Sequence, residues 1–115
     1  MLPNVVELEN GEYEISFNSS KGIGIKFVDD EGCCIVECLI PLSDGKKGPL
    51  QKINRISIGD TLVRINDIDL TKSVNGRKMS FNNIHELLTK LSKSIKLRFK
   101  ETPRKNKDIK RFRVI

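Results

Sequence analysis

Several residue types that carry chemistry are scarce in this sequence. It has no tryptophan, one tyrosine and a single histidine, His85. Acid–base and nucleophilic catalysis need reactive side chains that converge, and one histidine without a Gly-x-Ser-x-Gly motif does not provide them. We therefore expect a binding protein with no enzymatic activity and no small-molecule substrate.

Glycine-rich cofactor motifs are also incomplete. A phosphate-binding loop would need a glycine where Ile40 stands, five places before Gly45. A dinucleotide fingerprint that starts at Gly22-x-Gly24 would need its third glycine where Phe27 stands. We therefore expect no cofactor.

The three cysteines, Cys33, Cys34 and Cys38, fall in one short apolar run. If the run is a strand, Cys33 and Cys34 face opposite sides, and Cys34 and Cys38 lie roughly 13 Å apart, too far for a disulfide. Their spacing does not suit zinc either, so we expect no metal site. Three thiols that cannot pair are typical of a reducing compartment, and we predict a cytoplasmic location, which includes the cytoplasmic face of a membrane.

Long hydrophobic runs are absent. No stretch reaches the roughly 20 apolar residues of a membrane-spanning helix, and the first residues do not form a basic-then-apolar secretory signal. A chain of 115 residues is the size of one domain. We expect a small soluble unit.

The net charge of +6 is concentrated at one end of the chain. Residues 1–101 contain 15 Lys and Arg and 14 Asp and Glu, whereas residues 102–115 contain six basic residues and one acid. The main part of the chain is therefore nearly neutral. A basic tail can contact phosphate or an anionic membrane, or it can be a solvated linker.

Hydrophobic periodicity predicts five or six short strands and two helices. Alternation marks strands near residues 13–17, 23–28, 62–65 and 95–99, with a very short one near 68–70. The continuously apolar run 33–40 predicts a central strand covered on both faces. A long helix is expected at about 80–91, capped by Ser80, and one short helix at about 48–53.

Four short motifs follow one another along the chain, namely Lys21-Gly22-Ile23-Gly24-Ile25, Gly48-Pro49-Leu50, Ile56-Ser57-Ile58-Gly59-Asp60-Thr61-Leu62 and Ile65-Asn66. In this order they resemble the motifs of a PDZ domain, a peptide-binding module. The likeness covers about residues 12–101, with 1–11 as a lead-in and 102–115 as a basic tail. The family implies a partly open, five- to six-stranded antiparallel β-barrel or sandwich capped by the two helices, an α+β fold with the eukaryotic order of elements.

The resemblance implies that the chain binds the C-terminal carboxylate and last residues of partner proteins by β-strand addition. Glycines allow consecutive backbone N–H groups to converge on a carboxylate, and a nearby lysine adds positive potential. The implied carboxylate loop consists of Lys21, Gly22, Ile23, Gly24 and Ile25. The implied peptide groove adds Lys26, Phe27, Phe81, His85 and Leu88.

Two helix residues carry the expected selectivity. Leu88, with Ile23 and Ile25, would form an apolar pocket for the terminal side chain. Phe81 stands where common family members carry a histidine that bonds a Ser or Thr hydroxyl, so a hydrophobic-x-hydrophobic-COOH preference is expected. For His85, contact with the groove and a half-exposed position without a role both remain open.

The tail suggests alternative partners. Ile115 at the end of the chain resembles a ligand for the same groove, so self- or cross-docking is one alternative, although Arg113 occupies a position expected to be hydrophobic. The other alternative is an anchoring module whose basic tail binds a phosphoinositide membrane or nucleic acid. A scaffold domain with an unused groove is a third.

Overall fold

The computed structural model describes residues 3–19, 23–41, 45, 48–72, 79–91 and 93–102. These residues form seven strands and two short helices. The strands are Asn4–Glu7 (β1), Glu12–Ser19 (β2), Ile25–Asp30 (β3), Cys33–Leu39 (β4), Thr61–Ile65 (β5), Ile68–Asp69 (β6) and Lys93–Lys100 (β7). The helices are Pro49–Ile53 (α1) and Phe81–Thr89 (α2).

All seven strands belong to one antiparallel sheet. Neighbours follow the order β1-β2-β7-β5-β4-β3, and β6 pairs with β5 beside this path. The longest pairing joins β2 to β7, from Glu12 opposite Lys100 to Ser19 opposite Lys93. The fold is therefore mostly antiparallel β with two short helices, which agrees with the predicted α+β class.

The core follows from strict alternation on β2 and β7. Within residues 13–17 and 95–99, every second side chain points inward and is at most 7% exposed. Because the two strands pair in register, the inward residues meet as three cross-strand pairs, which are Tyr13 with Phe99, Ile15 with Leu97 and Phe17 with Ile95. The rings of Tyr13 and Phe99 stack with centroids 5.4 Å apart. These pairs form the centre of the hydrophobic core.

The first strand was not expected from the sequence. Segment 1–11 was predicted to be a lead-in, but it contains β1, which pairs with β2. The turn between the two strands has positive φ at both Asn10 (60°) and Gly11 (76°), residue types that accept this geometry. Val5 and Val6 are adjacent in sequence, so β1 lacks the apolar–polar alternation by which the other strands were predicted.

The prediction that the cysteine-containing strand is covered on both faces was wrong. In β4, Cys34 and Val36 are buried, whereas Cys33 and Glu37 are exposed. The strand also lies next to the end of the sheet, between β5 and β3. Glu37 interrupts the apolar run of the sequence, and its side chain and the small Cys33 thiol are both exposed.

Both helices begin close to where the sequence predicted them. Ser80 caps α2, because its Oγ accepts a hydrogen bond from the Asn83 N–H at 3.2 Å. The helix ends at Thr89, two residues before the predicted end. Asn54 follows α1 in the left-handed conformation, with φ of 55°. Neither of these described helices is long and apolar enough to cross a membrane.

Asp60 connects four parts of the fold. Its Oδ2 accepts a hydrogen bond from the Tyr13 hydroxyl at 2.6 Å and from the Ser57 N–H at 3.1 Å. Its Oδ1 accepts from the Thr102 N–H at 3.2 Å, and its backbone carbonyl accepts from the Val36 N–H at 2.9 Å. One fully buried residue therefore joins β2, the turn before β5, β4 and the segment after β7.

Arg55 covers the Tyr13 ring on the surface side of this network. Its guanidinium lies 3.7 Å above the Tyr13 ring and binds both oxygens of Glu7 at 2.8 Å. It also contacts Glu101 at 2.9 Å. Glu7 belongs to β1, Glu101 follows β7 and Tyr13 belongs to β2. Arg55 therefore connects these three elements around the buried Tyr13 hydroxyl.

The environment of Tyr13 predicts a specific response to alkaline pH. Burial, followed by the hydrogen bond to Asp60, raises the pKa of the Tyr13 hydroxyl above its ordinary value. Above about pH 10 the unfolded chain then loses a proton that the folded chain retains, so stability falls as the pH rises. Between pH 9 and pH 11 we expect the free energy of unfolding to fall by about 1.4 kcal/mol more than in Tyr13→Phe, and by about 1.4 kcal/mol for each further pH unit above that.

The measurement is urea unfolding between pH 9 and 11, together with tyrosinate absorbance near 295 nm, since Tyr13 is the only tyrosine. Tyr13→Phe should also be less stable at pH 7, by about 1–3 kcal/mol, because it removes a donor to a buried carboxylate. Tyrosinate absorbance that appears near pH 10 while the protein remains folded would contradict the assignment.

Candidate functional site

The candidate site lies along β3, one of the two end strands of the sheet. On one side β3 pairs with β4, and the strand order places no described strand on its other side. The Gly24 carbonyl accepts a hydrogen bond from the Ile40 N–H at 2.8 Å, so this carbonyl points towards β4. At the other end, Asp30 pairs with Cys33 across a two-residue turn.

These two ends determine which backbone groups face outward. In an antiparallel pair, residues alternate between those bonded to the neighbouring strand and those whose N–H and C=O point away from it. Gly24 and Asp30 are of the first kind, so Ile25, Phe27 and Asp29 are of the second kind. The pairing with β4 has one register shift, between Lys26 and Phe27, and both ends of β3 give the same alternation. The strand therefore presents three pairs of backbone donors and acceptors on the side away from β4.

Gly24 provides the turn that precedes this edge. Its φ is +76°, a left-handed conformation that L-residues adopt only with strain. Ile23 beside it is partly buried and packs against the core. Lys21 and Gly22, the first two residues of the predicted carboxylate loop, lie outside the described residues. In the described part of the predicted loop, residues 23–25, Gly24 therefore has a left-handed backbone conformation that favours glycine.

The predicted apolar pocket is largely part of the core. Ile25 is 9% exposed and Leu88 is 6% exposed, so both are covered mainly by the protein itself. Ile23 and Phe27 pack against the same core and remain partly exposed. Of these four residues, mainly Ile23 and Phe27 therefore leave apolar surface that a ligand side chain could contact.

The helix face carries an aromatic pair. Phe81 is partly buried and His85, one turn later, is exposed; their ring centroids lie 6.4 Å apart. Leu88 follows on the same face, and α2 approaches β4, the strand beside β3. The predicted spacing of four and three residues thus gives one continuous face, with its polar member, His85, towards solvent.

Lys26 differs from the other predicted groove residues. Because side chains alternate along a strand, it lies on the face opposite to Ile25 and Phe27. There its ammonium group contacts Glu37 of β4 at 3.4 Å, and both side chains are well exposed. Lys26 therefore borders the open edge from the outer face and does not line the surface towards α2.

A concave region near the other end of the sheet contains none of the predicted site residues. It is a cleft of about 750 Å³ between β1, β2, β7 and the turn after β5. The sequence carried no signal for it, because its members come from four separate segments. The cleft is lined by Asn4, Ser16, Phe17, Asn18, Asn66, Asp67, Ser94, Ile95 and Lys96.

The described side chains contain no group of three His, Cys, Asp or Glu residues that could hold a metal ion. All three cysteines are free, with Cys33 exposed and Cys34 buried. Residues 103–115, which include the basic tail, lie outside the described chain. Of the two strands that end the sheet among the described residues, β1 and β3, only β3 carries predicted site residues.

No protein-family model matches this chain, and no curated protein is similar enough to count as a relative.

The burial of the thiols beside β3 predicts different reactivities. Burial, with smaller contributions from Asp29 and Cys33, raises the pKa of the Cys34 thiol to about 12. Only thiolate reacts readily with alkylating agents. At pH 8 we therefore expect Cys33 to be alkylated well before Cys34, and Cys34 to react at an ordinary rate only in urea. Timed alkylation with mass spectrometry of the peptides measures this; equal rates in the folded protein would contradict it.

Proposed function

We propose that this chain is a PDZ-like protein-interaction domain that binds the C-terminal residues of partner proteins as an added strand beside β3. The observation that carries the proposal is the open edge of β3, which begins directly after Gly24 in its left-handed conformation. The order of the elements and the helix α2 after β6 are consistent with this family.

Main-chain hydrogen bonds supply the affinity in this proposal. Ile25 and Phe27 direct their N–H and C=O groups away from β4, so an antiparallel peptide can bond to both without disturbing the sheet. Groups of this kind serve as a template for another chain. The terminal carboxylate would lie against the N–H groups around Gly24, which need no side chain to attract an anion.

Side chains supply the selectivity. The partly exposed apolar surface of Ile23 and Phe27 favours an apolar terminal residue. Phe81 on α2 offers a phenyl ring and no hydrogen-bond partner, which favours a hydrophobic residue two places before the terminus. The expected ligand is therefore a hydrophobic-x-hydrophobic C-terminus with a free carboxylate.

Gly24→Ala tests the carboxylate loop. Alanine at a φ of +76° costs roughly 1–2 kcal/mol, so the loop should relax to another conformation and turn its N–H groups away. We expect about tenfold weaker binding of a fluorescent hydrophobic-x-hydrophobic peptide by polarisation, with the amidated peptide binding weakly to both proteins.

Gly11→Ala is the matched control for this variant. Gly11 has the same φ of +76° with open space around it, in the turn between β1 and β2. It should lose similar stability and keep its peptide affinity. If the free-acid and amidated peptides bind equally well to the unaltered chain, the proposed function is wrong.

Phe81→His tests the origin of selectivity. An imidazole at this position can hydrogen-bond a hydroxyl, which the phenyl ring cannot do. We expect peptides with Ser or Thr two places before the terminus to gain about three- to tenfold in affinity relative to hydrophobic ones. Asn82→His, one position along on an exposed part of α2, is the control and should leave the preference unchanged. Selection of Ser or Thr by the unaltered chain in a C-terminal peptide library would contradict this assignment.

A further inference from the structure

The far end of the β3 edge is acidic. Asp29 and Asp30 end the strand and Glu31 begins the turn that follows, and all three side chains are exposed. Within the described chain, none of them takes part in an ion pair, and the nearest basic residue of the strand, Lys26, contacts Glu37 instead. No ion pair among the described residues therefore neutralises the negative charge at this end of the edge.

The register of the strand places one of these acids beside a specific ligand position. An antiparallel ligand whose last residue lies at Ile25 has its third-last residue opposite Phe27 and its fifth-last residue opposite Asp29. Residues that exchange backbone bonds across antiparallel strands have side chains on the same face, about 5.5 Å apart at Cα. The fifth-last side chain of the ligand would therefore lie next to the Asp29 carboxylate.

The Asp29 side chain is held at this position. Its Oδ1 accepts a hydrogen bond from the Gly32 N–H at 2.9 Å, across the turn that ends the strand. A carboxylate anchored to backbone loses less conformational freedom when it pairs with a cation than a freely rotating one. Asp30 and Glu31 add negative potential within the Debye length of about 8 Å at physiological salt.

We propose that the protein selects partner C-termini with a lysine or arginine at the fifth residue from the end, which pairs with Asp29. This inference rests on the proposed function and adds a basic position to the hydrophobic-x-hydrophobic terminus. A ligand of this kind carries charge opposite to the acidic end of the edge.

The test uses the full chain and three labelled seven-residue peptides that differ only at the fifth-last position, which is Lys, Ala or Glu. We expect affinity to fall in that order, by about tenfold between Lys and Glu at low salt, and the difference to shrink in 0.5 M NaCl. Asp29→Asn keeps an oxygen that can accept the Gly32 bond and removes the charge. It should weaken binding of the Lys peptide about threefold and leave the Ala peptide unchanged.

Glu9→Gln is the control, since it removes the same charge from an exposed residue in the β1–β2 turn, near the other end of the sheet. It should change neither the affinities nor their order. Equal binding of the Lys and Glu peptides, with the free acid still preferred over the amide, would overturn this inference and leave the proposed function standing. If the amidated peptides bind as well as the free acids, the proposed function itself fails.

Discussion

The fold depends on the hydrogen bonds that Asp60 accepts while fully buried. A buried carboxylate is unfavourable unless donors surround it, and here the donors come from Tyr13, Ser57 and Thr102. The same residue accepts the Val36 N–H, and Val36 lies opposite Phe27 in the sheet. The network therefore reaches from the centre of the core, through β4, to the strand proposed to bind a ligand.

The backbone groups that stabilise the fold around Asp60 differ from those of β3 that are proposed to bind a ligand. The backbone groups around Asp60 are satisfied within the fold, whereas alternate groups of β3 point away from it. An open strand edge binds an extended peptide well only if it is held flat and in register, since otherwise the ligand must order it first. Pairing of β3 with β4 and the bond from Ile40 to Gly24 provide that order before any ligand arrives.

Local sequence patterns predicted the structure correctly where a single physical reason favours one residue type at a position. Ser80 was predicted as a helix cap and is one, because its hydroxyl satisfies a free N–H at the helix start. Gly24 was predicted to need unusual backbone freedom and has positive φ. Hydrophobic patterns, which depend on the elements that pack beside a strand, predicted the strands less well. The strand β1 was missed, and Cys33 made β4 look covered on both faces.

Alone, the sequence determined the α+β class, the caps and turns and the inward residues of the regular strands, because each follows from local stereochemistry or from alternation. Only the tertiary structure decided which strands end the sheet, that Lys26 contacts Glu37 on the outer face, and that Asp60 meets the Tyr13 hydroxyl. The reason is physical: strand order and buried polar contacts join residues far apart in sequence, such as Tyr13 and Asp60, and no local pattern encodes which distant partner a strand or a carboxylate will find.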